Sequence, residues 1–566
     1  MTDSPLVLGP LVRYVDQTSA SVWVETRDAG LVRVRADDRS WQAPTFAVHD
    51  HHYALVVVDG LEPGSIVRYT VEVDGGPVWP PAPDADGSSY PPSVIATLKP
   101  DKPLRLAFGS CRTSVNHRES GNRTHGVDAL RSLALRMATD ESARWPDLVL
   151  FLGDQVYADE TTEEMQEFIK ERRDIDEPPG KELKDYEEYA HLYALAWSDP
   201  LNRWLLSTLP SLMIFDDHDV RDDWNTSYAW QQEIRKTSWW HERIVSGLVS
   251  YWVYQHVGNL SPAERDADPV WQRLRAYDGP GELDLTADLR DLAERVDEDP
   301  TTYRWSYARD IAGTRIVVVD SRAARVLEPD RRTLLDDDEL AWLDGQMRGD
   351  VRHLLVGTSL PFLLPPGLHY LEAWNEAVGN GAWGRRSAAL GEKLRQAVDL
   401  EHWGAFQQAF HAVAKMAVEV ADGRRGRPPM TVTFLSGDVH HSYVSEVERD
   451  HPAGSSRIIQ AVCSPIRNPL PRKMRFATAV LAYAVAGPIG KVVARSAKVP
   501  NAPFSWRNIA GPWFDNSIAV LEDTDAGLDL RWYTGVVQDG DQEHPRLDTV
   551  AAVTIDPPVG RACRDH

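Results

Sequence analysis

The 566-residue chain sets 61 Lys and Arg against 85 Asp and Glu, a net charge of −24. That excludes nucleic-acid binding through the general surface, because phosphate contacts need neutralising cations. With 42% hydrophobic and 26% charged residues it has the balance of a globular protein rather than a disordered one, and its length suits two or more domains.

Cys111, Cys463 and Cys563 are too few for a disulfide framework. The opening stretch MTDSPLVLGPLVRY has no basic region followed by an apolar one and no twin arginine. No apolar run reaches ~20 residues. The expectation is a cytoplasmic protein without signal peptide or membrane span, and no obligate protein partner is inferred.

Residues 5–97 predict β structure. SASVWVETR and YALVVVDG alternate apolar and polar residues, and GLEPGSIVRYTVEVDG runs from a Gly/Pro turn into a strand. Short alternating strands separated by turns point to a β-sandwich, with Tyr69 placed as a corner tyrosine. GGPVWPPAPDADGSSYPPSV reads as a loop near the domain's end. The expected division is an N-terminal domain at 1–99 and a second at 100–566.

From residue 104 the pattern changes. LRLAFGSC, DLVLFLGD, SLMIFDD, RIVVVDSR, RHLLVGTS and VTFLSGDVHH are short continuous apolar runs separated by helical stretches. Such strands are buried on both faces, as in a layered α/β domain. DDDELAWLDGQM has helical spacing and an acidic first turn that suits the helix dipole. Residues 170–190, charged and broken by Pro-Pro-Gly, read as a solvated insertion, and 261–300 as an acidic one.

Several of these runs end on a residue that can hold a metal or a substrate, and ligands in open α/β sheets bind beyond the carboxyl ends of strands. The tips are Cys111 in FGSCRTS, Asp154 with Tyr157 in FLGDQVYADE, the acidic stretch SLMIFDDHDVRDDWN, and Asp438, His440 and His441 in FLSGDVHH. Taken singly, each is a turn residue, a helix cap or a small buried hydrophobe. Together, carboxylates, imidazoles, a phenol and a thiol form the donor set of a multi-metal site. Asp216, Asp217, Asp219, Asp222 and Asp223 repel one another unless multivalent cations offset them. Two metals about 3.5–4 Å apart clamp a phosphoryl group and acidify a bound water, and a nearby His protonates the leaving oxygen.

The motifs GSC (109–111), LGDQVY (152–157), FDDHD (215–219) and SGDVHH (436–441) resemble those of the alkaline phosphatase D (PhoD-like) family of the metallophosphoesterase superfamily. The resemblance spans roughly residues 100–545. It implies a metallophosphoesterase-type layered α/β catalytic domain preceded by an all-β fibronectin-III-like sandwich. The implied activity is metal-dependent hydrolysis of phosphate esters, mono- or diesters, by a metal-activated hydroxide.

Residue by residue, it implies that Asp154 bridges the metals and that Cys111 and Tyr157 bind a ferric ion. Asp217, Asp438 and His440 complete the ligand set, and His218 is the general acid. Iron and calcium are the implied cofactors, with other divalent metals left open. Arg112, with Arg221 or His441, is read as holding the non-bridging oxygens. Asp219, Asp222, Asp223 and Asn225 stay unranked as supporting groups or extra calcium ligands, and Asp216 as an orienting residue. Two departures stand out: GSC replaces the superfamily's opening Asp-x-His, and GTSLPF (357–362) has Thr358 and Ser359 where many members place a ligand His.

Residues 464–500 hold Arg467, Arg472, Lys473, Arg475, Lys491, Arg495 and Lys498 and no acid. The plain reading is a buried helix with solvated ends. The functional readings are a lid that attracts anionic substrates, or a surface that rests on anionic lipid. Two rivals to the hydrolase remain: a haloperoxidase-like oxidative iron site, and a non-catalytic binding protein built on the sandwich.

Overall fold

SASVWVETR forms the strand Ala20–Thr26, yet every residue of it is buried, although alternation alone leaves one face wet. The reason is a covering on both sides. Its sheet runs in the order Leu6–Val15, Ala20–Thr26, His51–Val58, Phe46–Val48, Leu283–Asp284. One face shares an apolar core, including Val22, Val24 and Val56, with Val32, Val34 and Val71 of a second sheet. That second sheet comprises Arg39–Pro44, Leu31–Ala36, Ile66–Val73 and Gly76–Trp79, with Val94–Ala96 paired to Ile66–Val73. From the opposite face Trp23 packs against Trp197 and Tyr254 of the following domain. The computed structural model describes residues 4–81, 90–140, 142–397, 400–449, 454–471, 475 and 486–556.

The sheets after residue 104 are two. The first runs Ser211–Ile214, Leu148–Leu152, Arg105–Gly109, Ile518–Thr524, Gly527–Gln538, Asp541–Ile555, and its first three strands are parallel. The second runs Tyr307–Ile311, Thr314–Val319, His353–Thr358, Thr431–Ser436, Arg457–Val462, Ser442–Glu448, Ser505–Trp513, with the second to fifth parallel.

The continuous apolar runs now have a cause. Ile316 and Val318 face the core shared with the first sheet, which includes Phe108 and Leu150. Val317 and Val319 face the core that includes Phe410 and Val413 of the helix Gln407–Ala421. Each such side chain contributes ~1.5–3 kcal/mol when fully buried. The helix Ala129–Thr139 lies on the first sheet's outer face, capped by the Asp128 carboxylate on the N–H groups of Leu130 and Arg131. The architecture is therefore mixed α/β, with helices outside two packed sheets and a β-rich N-terminal region.

The expected insertions are more structured than solvated loops. Within 170–190, Glu188 is fully buried and accepts from Arg173 Nε at 2.7 Å. Within 261–300, Leu283–Asp284 pairs in parallel with Phe46 and Ala47, so this segment completes the N-terminal sheet. Tyr69 is not a corner tyrosine closing its own sandwich: its hydroxyl donates across the domain contact to the Ser207 carbonyl at 2.6 Å. Cys111 and Cys463 are buried free thiols, while Cys563 lies outside the described residues. Among the described residues no helix is long and apolar enough to cross a membrane.

Candidate metal centre

The carboxyl ends of the parallel strands from both sheets converge. The Asp438 N–H donates to Ser110 Oγ at 3.1 Å, Cys111 N–H to the Gly153 carbonyl at 3.3 Å, and Gly437 N–H to the Ser359 carbonyl at 2.9 Å. The approach is close enough that a Cβ on Gly437 would lie 1.9 Å from Ser110 Oγ. At these tips Cys111, Asp154, Asp438 and His440 all take left-handed backbone angles, with φ of 59°, 51°, 66° and 51°. Each non-glycine residue held there costs about 1–3 kcal/mol, and such strain clusters at functional sites.

Three groups of donor atoms result, each with its atoms within 4.8 Å of one another: Cys111, Asp154 and His440; Asp154, Asp216 and Asp217; and Asp217, His218 and Asp222. Asp154 belongs to the first two and so stands between a thiol–imidazole pair and a carboxylate pair. Tyr157 is buried beside them, its phenol influenced by Cys111 and Asp154, and its ring 4.7 Å from that of His218. The donor set fits metal ions. Asp154 Oδ1 and Asp216 Oδ2 are buried with no hydrogen-bond partner among the described residues, and thiolate, imidazole and carboxylate are metal-binding chemistry.

Burial, then Asp154 and Asp438, push the Cys111 thiol well up, and burial followed by Cys111 and Asp154 does the same to Tyr157. Burial also raises Asp154 and Asp216, reinforced by neighbouring carboxylates. These groups ionise together only when positive charge balances them. Burial, helped by His218, drops the His440 pKa to about 4, leaving a neutral ring with a lone pair for a ligand.

His218 behaves oppositely. Burial would lower its pKa, but Asp159 and Asp217 overcome that and hold it well above the ordinary value. Asp159 accepts from Nδ1 at 3.0 and 3.1 Å. Nε2 remains on the side of Asp222, 3.9 Å from its carboxylate.

These groups open onto a cavity of about 350 Å³ lined by Asp154, Asp217, His218, Asp438, His440 and His441, with Leu364, Leu368, Leu400 and Leu470 as its apolar wall. A roomier cleft of about 460 Å³ near Ile66, Trp145 and Ile311 holds none of this chemistry.

Other expected residues fall elsewhere. Arg112 is turned away: Nε and Nη2 donate to Asp128 at 3.0 and 2.8 Å and Nη1 to the Ala196 carbonyl at 2.9 Å. Its guanidinium is thus engaged by a buried carboxylate and a carbonyl rather than by the groups lining the cavity. Arg221 is held by Glu182 at 2.9 Å. His441 lines the cavity with Nδ1 bonded to the Val439 carbonyl at 2.7 Å, its ring stacked on Tyr443.

The acidic tract also separates. Asp219 Oδ2 accepts from the N–H groups of both Asp154 and Asp216 at 2.9 Å, so it braces two tips. Asp222 joins Asp217 and His218, and Asp223 N–H donates to Asp217 Oδ2 at 3.1 Å. Asn225 donates to the Arg322 carbonyl at 3.2 Å, and Asp216 binds the Arg322 guanidinium.

In the basic segment Arg467 is fully buried and holds the carbonyls of Val115, Asn116 and Gly126, so it is no part of a basic rim. Arg472, Lys473 and most of the central apolar stretch lie outside the described residues.

Five neighbours of the site were not anticipated. Asp159 supports His218. Arg322, fully buried, meets Asp216, Asp217 and Glu401 at 2.5, 3.2 and 2.6 Å. His402 reaches Asp438 Oδ2 through Nε2 at 2.8 Å and Glu372 through Nδ1 at 2.7 Å. Ser359, in the GTSLPF stretch already named, bonds Ser321 at 2.8 Å. Arg322 carried a similar signal to the ligands, a polar residue closing RIVVVDSR, three residues past the end of the apolar run at Val319. Glu401, His402 and Glu372 come from helices and connections with no such mark.

The fold and the clusters define a mixed α/β protein whose strand ends gather metal-binding groups around an acid–imidazole pair. The PhoD-like phosphatase family model matches residues 133–484, which takes in every tip except Cys111. The chain belongs to that family and is, at family level, a hydrolase. Residues 3–95 match a domain of unknown function (DUF7800). A solved structure of PhoD is similar over 98% of this chain and 91% of its own, at 14% identity and a TM-score of 0.58, which supports the fold. GAP50, the anchor in the inner membrane complex of Plasmodium, covers 80% of this chain and 89% of its own at 8% identity, with a TM-score of 0.31 too low to argue from. No curated protein matches the chain.

Proposed function

We propose that the protein hydrolyses phosphate esters, as a phosphomonoesterase, a phosphodiesterase or both, at the metal centre around Asp154. The observation that carries this is the sharing of Asp154 between the Cys111–His440 group and the Asp216–Asp217 group, beside the supported imidazole of His218. Cys111, Tyr157, Asp154 and His440 are the residues that would hold iron. Asp154, Asp217 and Asp438 are those that would hold calcium or another divalent cation, since oxygen donors suit hard ions and thiolate and imidazole softer ones. Bound cations supply charge to the phosphoryl oxygens and acidify water.

The chain's own groups do the rest. Asp159 fixes His218 through Nδ1, so that Nε2 gives its proton to the ester oxygen as the P–O bond breaks, while the water that adds to phosphorus releases its proton to solvent. His441, fixed by the Val439 carbonyl, borders the non-bridging oxygens. Leu364, Leu368, Leu400 and Leu470 restrict water on the cavity's apolar side.

Assay of p-nitrophenyl phosphate and bis-p-nitrophenyl phosphate, with His218→Ala as control, tests the reading. Hydrolysis that falls sharply in His218→Ala supports it. An unchanged rate in the variant refutes the proton-donor role, and halide oxidation without ester hydrolysis refutes the reaction.

A further inference from the structure

Among the contacts of the β-rich N-terminal region with the helix behind the metal centre, which include Trp23 and Glu25 on Tyr254, one side chain binds that helix's backbone. Arg13 lies on the strand Leu6–Val15 and is 1% exposed. Among the described residues its guanidinium pairs with no carboxylate and instead spreads over oxygens of the next domain. Nη1 donates to the Tyr254 carbonyl and Nη2 to the Gln255 carbonyl, both at 2.6 Å. Nη2 also meets Asn259 Oδ1 at 3.1 Å, and Nε the Ser211 carbonyl at 3.3 Å. A Cβ on Gly258 would come within 2.7 Å of Arg13 Cζ, so a glycine there leaves room for the guanidinium.

What Arg13 holds is the support of the site. Tyr254 and Gln255 lie in the π-helical turn Tyr251–His256 of a helix that ends at Asn259, and such turns recur at functional sites. The Gln255 side chain donates to Asp219 Oδ1 at 3.1 Å and to the Tyr193 hydroxyl at 2.9 Å. Asp219, through its other oxygen, fixes the backbone N–H groups of Asp154 and Asp216 at 2.9 Å. Asn259 in turn caps the edge strand that leads into Asp216 and Asp217, accepting from Met213 N–H at 3.0 Å and donating to its carbonyl at 2.7 Å. Two routes thus run from Arg13 to the same strand tips.

We propose that the N-terminal region positions the metal centre through the relay Arg13, Gln255 carbonyl and side chain, Asp219, Asp154 and Asp216. Arg13 and Gln255 are positioning residues, since neither touches metal or substrate. The inference rests on the metal-centre reading above. It gives the β-rich region a role that fold stability alone does not, because supporting groups around metal ligands typically change metal affinity ~10–100-fold.

The experiment titrates Mn2+ into metal-stripped full-length protein by calorimetry, with thermal unfolding of the metal-free proteins alongside. Arg13→Gln and Gln255→Met should each weaken Mn2+ binding, by ~10-fold, the low end of the range for groups bonded directly to ligands, since both act at least one residue further out. The double variant should lose less than the sum of the two, because they act in one chain. Tyr69→Phe removes a different inter-domain hydrogen bond, to the Ser207 carbonyl, and should leave the affinity within ~2-fold.

If Arg13→Gln does not fold, Gln255→Met decides alone, since it leaves the domain contact intact. Unchanged affinity in Gln255→Met, or an equal loss in Tyr69→Phe, overturns the relay while leaving the metal centre standing. A wild-type protein that takes up none of Mn2+, Ca2+ and iron overturns both.

Discussion

Asp159→Asn removes the charge behind His218 while leaving an oxygen able to accept its Nδ1 proton. The carboxylate lies 3.0 and 3.1 Å from Nδ1, and with 6% of the Asp159 side chain exposed solvent screens the pair weakly. A hydrogen bond between charged partners contributes ~1.5–3 kcal/mol. At about 1.4 kcal/mol per unit, the imidazolium pKa should fall by ~1–2 units.

A proton donor acts in its protonated form. Burial opposes that form, but Asp159 and Asp217 raise the His218 pKa past it, so the acid is present at low pH and lost as pH climbs through the raised value. In Asp159→Asn the alkaline limb of kcat should therefore move ~1–2 units toward lower pH. The effect on rate should be larger for an alkyl phosphate ester, whose leaving oxygen needs the proton, than for a nitrophenyl ester. The assay is kcat against pH for both esters from about pH 6 to 11, with metal content checked at each end. An alkaline limb that stays in place for both esters refutes the pairing of Asp159 and His218 as the acid.

Arg112→Met should leave Asp128 buried and unpaired and lower stability by ~3–5 kcal/mol, measured by urea unfolding, with KM and metal content of the folded protein unchanged. A raised KM without lost stability would restore Arg112 as a phosphate clamp. Burial would raise the Asp128 pKa, but Arg112 and His117 hold it below the usual carboxylate range. The pair's contribution should be complete above pH ~4 and disappear as pH falls toward that lower value. His402→Ala takes away the imidazole that holds Asp438 Oδ2 and should weaken divalent-metal binding ~10–100-fold in a calorimetric titration; unchanged affinity would make the Glu372–His402 pair structural only.

That Cys111, Asp154, Asp217 and Asp438 come together at strand ends was legible because each follows a continuous apolar run, and such runs are parallel strands whose ends meet. Chain neighbours misled where backbone direction decides. Arg112 adjoins Cys111, but its side chain leaves the site for Asp128. Tyr69 has the spacing of a corner tyrosine, but its hydroxyl finds a carbonyl in the other domain.

The four other acids around Asp217 in SLMIFDDHDVRDDWN could not be ranked from order alone. Their roles depend on Gln255, Arg322 and Asp159, which arrive from distant segments. Alternation in SASVWVETR marked a strand, yet could not show that Trp23 would face a second domain. Arg322 also follows an apolar run, in RIVVVDSR, but a guanidinium is not a metal ligand. Its importance comes from the acids it neutralises.

The most direct test is the metal content of purified wild-type protein and Asp154→Asn, paired with hydrolysis of a phosphate monoester and a diester. Shared between two donor groups, Asp154 should be needed for both. The wild type should carry more than one cation per chain, iron among them, and hydrolyse at least one ester, and Asp154→Asn should lose metal and activity together. A metal-free wild type that still hydrolyses, or an Asp154→Asn protein with undiminished metal and rate, would contradict the account.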